Sequence, residues 1–134
     1  LEAMFKGMFV SLLVATAFDP SIHDETRLNA ERAADADVLS VLRRNGDCAS
    51  LVRSINLQFI GPEANVVELS ARATDLGFTV SQIVHTSDGE TAIDLSIMSD
   101  TQPSSIDELT MTALRIEKHF DLRYDGWGAI VQKC

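Results

Sequence analysis

Histidines, cysteines and paired carboxylates are where this sequence would carry reaction chemistry, and their spacing supports none. His23, His85 and His119 lie far apart, and none has a His or Cys at i+3 or i+4, the separations that zinc sites favour. Cys48 and Cys134 lack a CxxC spacing, and two cysteines are too few for a disulfide framework, so a reduced pair of thiols in a cytosolic chain is the default expectation. Cys48 stands beside Asp47 with no adjacent cation to stabilise a thiolate, which argues against a nucleophile. The sequence holds no GxSxG, no GxGxxG and no phosphate-binding loop. Carboxylates abound, yet no pair sits among apolar neighbours in the way that drives two pKa values apart. The expectation is a protein that is not an enzyme, with no cofactor and no metal.

What remains is charge and one aromatic motif. The chain has 20 acidic and 11 basic residues, a formal net charge of −9. Gripping a phosphate backbone takes Lys and Arg, so direct nucleic-acid binding is excluded as the main task. Asp24, Glu25, Glu31, Asp35 and Asp37 outnumber Arg27 and Arg32 in one stretch, and Asp88, Glu90, Asp94 and Asp100 follow His85 with no Lys or Arg before Gln102. Two readings stand: a solvated face that aids solubility, or a docking surface for an Arg/Lys-rich partner. In Tyr124-Asp125-Gly126-Trp127-Gly128, two glycines around a Trp predict a bulge or a close backbone approach. Tyr124 and Trp127 read as apolar anchors of a last strand, because large aromatics are usually held by burial. The alternative is an exposed Trp127 beside Asp125 acting as a binding hot spot.

The elements that must position these residues follow from periodicity. At 134 residues, 46% apolar and 23% charged, the chain has the make-up of one globular domain. Asp24 opens a helix that runs to Arg44, with Ala30, Ala34, Val38, Val41 and Leu42 as its apolar stripe, ended by Asn45-Gly46. Leu51 to Phe59 alternates as a half-buried strand, and Glu63 to Leu76 is a second helix closed by Gly77. Phe78 to Val84 and Thr91 to Met98 are strands around the Ser87-Asp88-Gly89 turn. Pro103 to Phe120 is a third helix, with Ser104 or Ser105 as candidate cap, and Leu122 to Val131 is the final strand. The order predicts an α+β fold, a ferredoxin-like βαββαβ sandwich with an additional N-terminal helix. Its open face would carry Asn56, Gln58, Thr79, Ser81, Asp94, Ser96 and Arg123, with Trp127 as a candidate member.

Ahead of this domain, placed at residues 21–134, residues 1–20 form an apolar segment. Lys6 to Phe18, with its Ala15-Thr16-Ala17 triplet, has the outline of a secretory signal but is too short to span a membrane. We read it as an ordered segment packed on its own domain or on a second copy, a route to homo-oligomers, in a cytoplasmic protein with no membrane partner.

The run Glu117 to Gly128 resembles the E-K-x-F-x-x-x-Y-D-G-W-G junction of the RraB family, the protein regulators of ribonuclease E activity. The likeness extends more weakly over Asp24 to Ile130, through Asn45-Gly46-Asp47, Leu76-Gly77-Phe78 and Asp88-Gly89. It implies a ferredoxin-like fold and an acidic protein that binds ribonuclease E through the arginine-rich part of its non-catalytic half, lowering RNA cleavage without modifying the enzyme. Asp125 and Trp127, with Asp94 on the same open face, are then the candidate partner-binding residues. A different class, a ligand-binding sensor whose ferredoxin-like dimer holds a small metabolite between sheet faces, is the alternative.

Overall fold

From Asp24 onward the described chain is one helix followed by a four-stranded sheet with two crossover helices. The computed structural model describes residues 24–134; the apolar segment at 1–20 and His23 lie outside the described residues. Asp24 caps α1 (Glu25–Arg44), its Oδ1 accepting from the backbone N–H of Thr26 at 2.9 Å and of Arg27 at 3.2 Å. Then come β1 (Arg53–Gly61), α2 (Glu63–Arg72), β2 (Thr79–His85), β3 (Thr91–Ser99), α3 (Pro103–Phe120) and β4 (Arg123–Ala129). This is an α+β fold with an antiparallel sheet in the order β2-β3-β1-β4. Gln102, rather than Ser104 or Ser105, holds the cap position of α3, because Pro103 takes the first helical turn, where its missing N–H costs nothing.

Alternation along β1 fixes the two faces. Ile55, Leu57 and Phe59 are fully buried and meet Ile93 and Leu95 of β3, Val66 and Leu69 of α2, and Ala113 and Ile116 of α3. Asn56 and Gln58 point to the opposite face, as does Asp94, which stands opposite Gln58 in register.

α1 lies beside α3. Arg32 grips Asp107 through Nε at 2.7 Å, and Arg27 holds Glu117 through Nη2 at 2.9 Å. Its buried face differs from the expected stripe: Leu28, Asp35 and Leu42 are the buried positions, whereas Ala30, Ala34 and Val41 are exposed. The seven-residue step that carries Leu28 to Leu42 passes through Asp35, and two leucines outweigh the small alanines in choosing which side turns inward.

The cysteines depart from the expectation of free thiols. Cys48 and Cys134 form a disulfide, their Cα atoms 5.3 Å apart across 86 residues of sequence. Main-chain pairing brings them together: the N–H of Cys48 donates to the carbonyl of Gln132 at 2.6 Å, and that of Gln132 to Asp47 Oδ1 at 2.8 Å. Sequence spacing gave no warning of this, because the segment after β4 returns to the α1–β1 connection only in three dimensions.

Candidate protein-binding cleft

Where α1 approaches β4, the two elements leave a cleft of about 440 Å³ that continues onto the open sheet face. Glu31, Ala34, Asp35 and Val38 line it from α1, Asn56 and Gln58 from β1, Asp94 from β3, and Asp125 to Gly128 from β4. Two of the lining positions on β4, Gly126 and Gly128, are glycines and add no side chain to the cleft. Four of the lining residues are acidic and none is Lys or Arg.

Asp94, Asp125 and Trp127, singled out from sequence, all line this cleft. Their roles differ. Asp94 is half-buried, and its Oδ1 accepts from Gln58 Nε2 at 3.1 Å. Asp125 is exposed, and its side chain makes no hydrogen bond or ion pair with the described residues. Trp127 does not belong to the open face: it stands opposite Leu57, on the core side. There it is half-buried against the core, and its indole Nε1 donates to Asp35 Oδ1 at 2.8 Å. The register shifts between Leu57 and Phe59, where two residues of β4, Asp125 and Gly126, face one of β1. Gly126 sits at φ +102°, which a side chain rarely tolerates. That bulge turns Tyr124 and Trp127 to the same side and makes both of them anchors, Tyr124 at 3% exposure.

Asp35 is the residue that sequence reasoning missed by counting it within a solvated acidic run. It is 6% exposed. Its Oδ2 accepts from Thr110 Oγ1 at 2.5 Å and its Oδ1 from Trp127, but no cation bonds it. Arg32, the nearby guanidinium, is committed to Asp107. Burial pushes the Asp35 carboxyl above the usual carboxylate range, the Thr110 and Trp127 hydrogen bonds pull it partly back, and the charges of Glu31 and Asp107 add to the rise. The available signal was the Leu28–Asp35–Leu42 heptad step. Glu31, by contrast, is paired with Arg27.

The fold and cleft define a small α+β domain that concentrates carboxylates at one sheet edge, with no Lys or Arg lining the cleft itself. The family model described as regulator of ribonuclease activity B matches residues 32–129, well over half of the chain, and the chain belongs to that RraB family. Among curated proteins none matches. Among the described residues no cluster of three His, Cys, Asp or Glu is placed to hold a metal, and no helix is long and apolar enough to cross a membrane.

Proposed function

We propose that this member of a ribonuclease-regulator family binds ribonuclease E at an arginine-rich surface of its non-catalytic half and thereby lowers RNA cleavage. The observation that carries the reading is a cleft with four carboxylates and no cation, in a chain of net charge −9. Complementary charge of this kind speeds encounter and sets register. Asp94 and Asp125 are the proposed contacts, and Trp127 forms the wall that holds Asp35 in place. The protein acts in the cytoplasm as a non-enzymatic partner. The sheet order β4-β1-β3-β2 supports a ferredoxin-like reading of the fold, with α1 as its addition. The domain is proposed to span residues 21–134.

Titration against ribonuclease E at low and at moderate salt, with binding and RNA cleavage followed together, tests this. Salt-sensitive binding with slowed cleavage is expected. Asp94→Lys with Asp125→Lys should slow association at least tenfold while leaving the melting temperature nearly unchanged; unaltered affinity at low salt would remove this surface from the interface. A cleft of about 440 Å³ also lies within the size range of small-ligand sites, which favours a metabolite sensor as the second reading. Failure to bind the enzyme at low salt, with a thermal shift on adding a metabolite, would make that the better one.

A further inference from the structure

The edge of β4 is treated in two different ways along its length. β4 is an outer strand of the sheet. At Tyr124 its outward groups are closed off: the N–H donates to Glu117 Oε2 at 2.8 Å and the carbonyl accepts from Arg27 Nη2 at 3.0 Å. Tyr124 pairs with Phe59, so Phe59 and, two and four residues away, Leu57 and Ile55 are in the phase of the ladder whose partners turn their backbone groups outward. The partners of Leu57 and Ile55 are Trp127 and Ala129. Their N–H and C=O groups therefore point away from the sheet, and no described residue bonds them. Unpaired edges of this kind are usually covered, charged or kept short, because they template strand addition.

We propose that an extended cationic segment of a partner protein pairs with this free edge at Trp127–Ala129 as an added strand, and that neighbouring basic residues in the segment, rather than alternate ones, are what the cleft selects. The inference rests on the regulator reading for the partner's positive charge and adds how the partner is held. Successive side chains of a strand point to opposite faces. On the helix side of β4 they would meet Asp35, a buried carboxylate without a counter-ion, and Glu31. On the open side they would meet Asp125, with Asp94 deeper in the cleft. An acidic residue thus waits on both sides of one strand position, and a segment with Arg at adjacent positions satisfies both, whereas one with alternate Arg satisfies a single side. Main-chain bonds supply affinity and the two acidic walls supply selectivity, as in other strand-addition complexes.

The test uses the full chain, ¹⁵N-labelled, and four nine-residue peptides of equal charge with blocked ends. One carries four consecutive central arginines, the second alternates them, and the third is the first with two alternate backbone nitrogens methylated, made as a pair of peptides in the two possible registers. Expected are binding of the first peptide at low salt, hydrogen exchange at Trp127 and Ala129 slowed at least tenfold, a several-fold weaker second peptide, and a third weaker by tenfold or more in one of its two methylation registers. Equal affinity of both methylated registers, or unchanged exchange at those two amides, would reduce the contact to charge alone and overturn strand pairing. Lack of binding by the first peptide would do so too. Ribonuclease E is titrated in parallel, so that enzyme binding without peptide pairing sinks only this inference, and loss of both sinks the regulator reading with it.

Discussion

Among the described residues two aspartates are buried, and they are furnished in opposite ways. Asp47, with its side chain wholly inaccessible, receives Arg53 Nη1 at 2.7 Å, Arg43 Nη1 at 2.9 Å, Thr101 Oγ1 at 2.7 Å and the Gln132 N–H at 2.8 Å. Burial alone would raise its pKa, but the Gln132 N–H, Arg53 and Thr101 outweigh it and hold the carboxyl at about 2. Asp35 has two neutral donors and no cation, and burial raises it. Asp47 ties together the α1–β1 connection, the start of α3 and the segment after β4. Asp35 lines a cleft instead, with its charge uncompensated. The fully paired carboxylate locks the fold, whereas the one without a counter-ion leaves a polar group facing the cleft.

Removing the paired anion should have the largest effect. Asp47→Ala leaves Arg53, itself 6% exposed, without its ion partner, and breaking such a buried pair costs about 3–5 kcal/mol. Urea denaturation measures it, and a loss below about 1 kcal/mol would show that the backbone carbonyls around Arg53 suffice. Cys134→Ser, which opens the Cys48 link across 86 residues, should cost about 2–4 kcal/mol. The same loss should follow from a thiol reductant, which leaves the returning segment held by the Asp47 network, the Cys48–Gln132 main-chain bond and the Arg53 bond to the Ile130 carbonyl.

At the other aspartate the effects shrink. Trp127→Phe withdraws the indole donor and leaves the desolvated Asp35 with Thr110 alone, a loss of about 1–3 kcal/mol with a further rise in the Asp35 pKa. Carboxyl NMR titration reads the second part. Asp35→Asn keeps polar contacts to Trp127 and Thr110 but removes the uncompensated charge, so stability at pH 7 should change by less than about 1 kcal/mol, toward gain. Partner affinity should fall in the same variant, which separates the two roles.

The pH dependence of the two sites has opposite sign. For Asp47 the folded value of about 2 lies below the usual 3.8, so the unfolded chain holds the extra proton between them. Its contribution is complete above 3.8 and is lost as pH falls toward 2. For Asp35 the folded value lies above 3.8, so the folded chain holds the extra proton just above that pH, and stability declines as pH rises through this window. Acid titration of the wild type against Asp35→Asn should remove the second component and leave the first.

Much of the fold was legible in the chain. Strict alternation of Ile55, Leu57 and Phe59 with Ser54, Asn56 and Gln58 marked a half-buried strand, and the Ile106–Phe120 stripe marked α3 almost to its ends. The α1 stripe was misjudged by its rotation, because alanines carry little weight in deciding which face is buried. Asp94 and Asp125, picked out by type and position, both line the cleft. Trp127 was legible as an anchor, but its face was not, since the bulge at Asp125-Gly126 shifts register by one residue and a one-residue slip changes the side on which a strand residue lies.

By itself, then, the sequence determined the family through the Glu117–Gly128 run, the α+β order through its two periodicities, and the acidic character through its counts. These are local or additive properties, fixed by residues near one another in the chain or by none in particular. Which carboxylates are paired, that Cys48 meets Cys134, and that Asp35 shares a cleft with Asp125 while no described residue bonds part of the β4 edge were decided only by tertiary structure. Each depends on contacts between residues tens of positions apart, whose pairing is set by how helices and strands pack and not by any spacing along the chain.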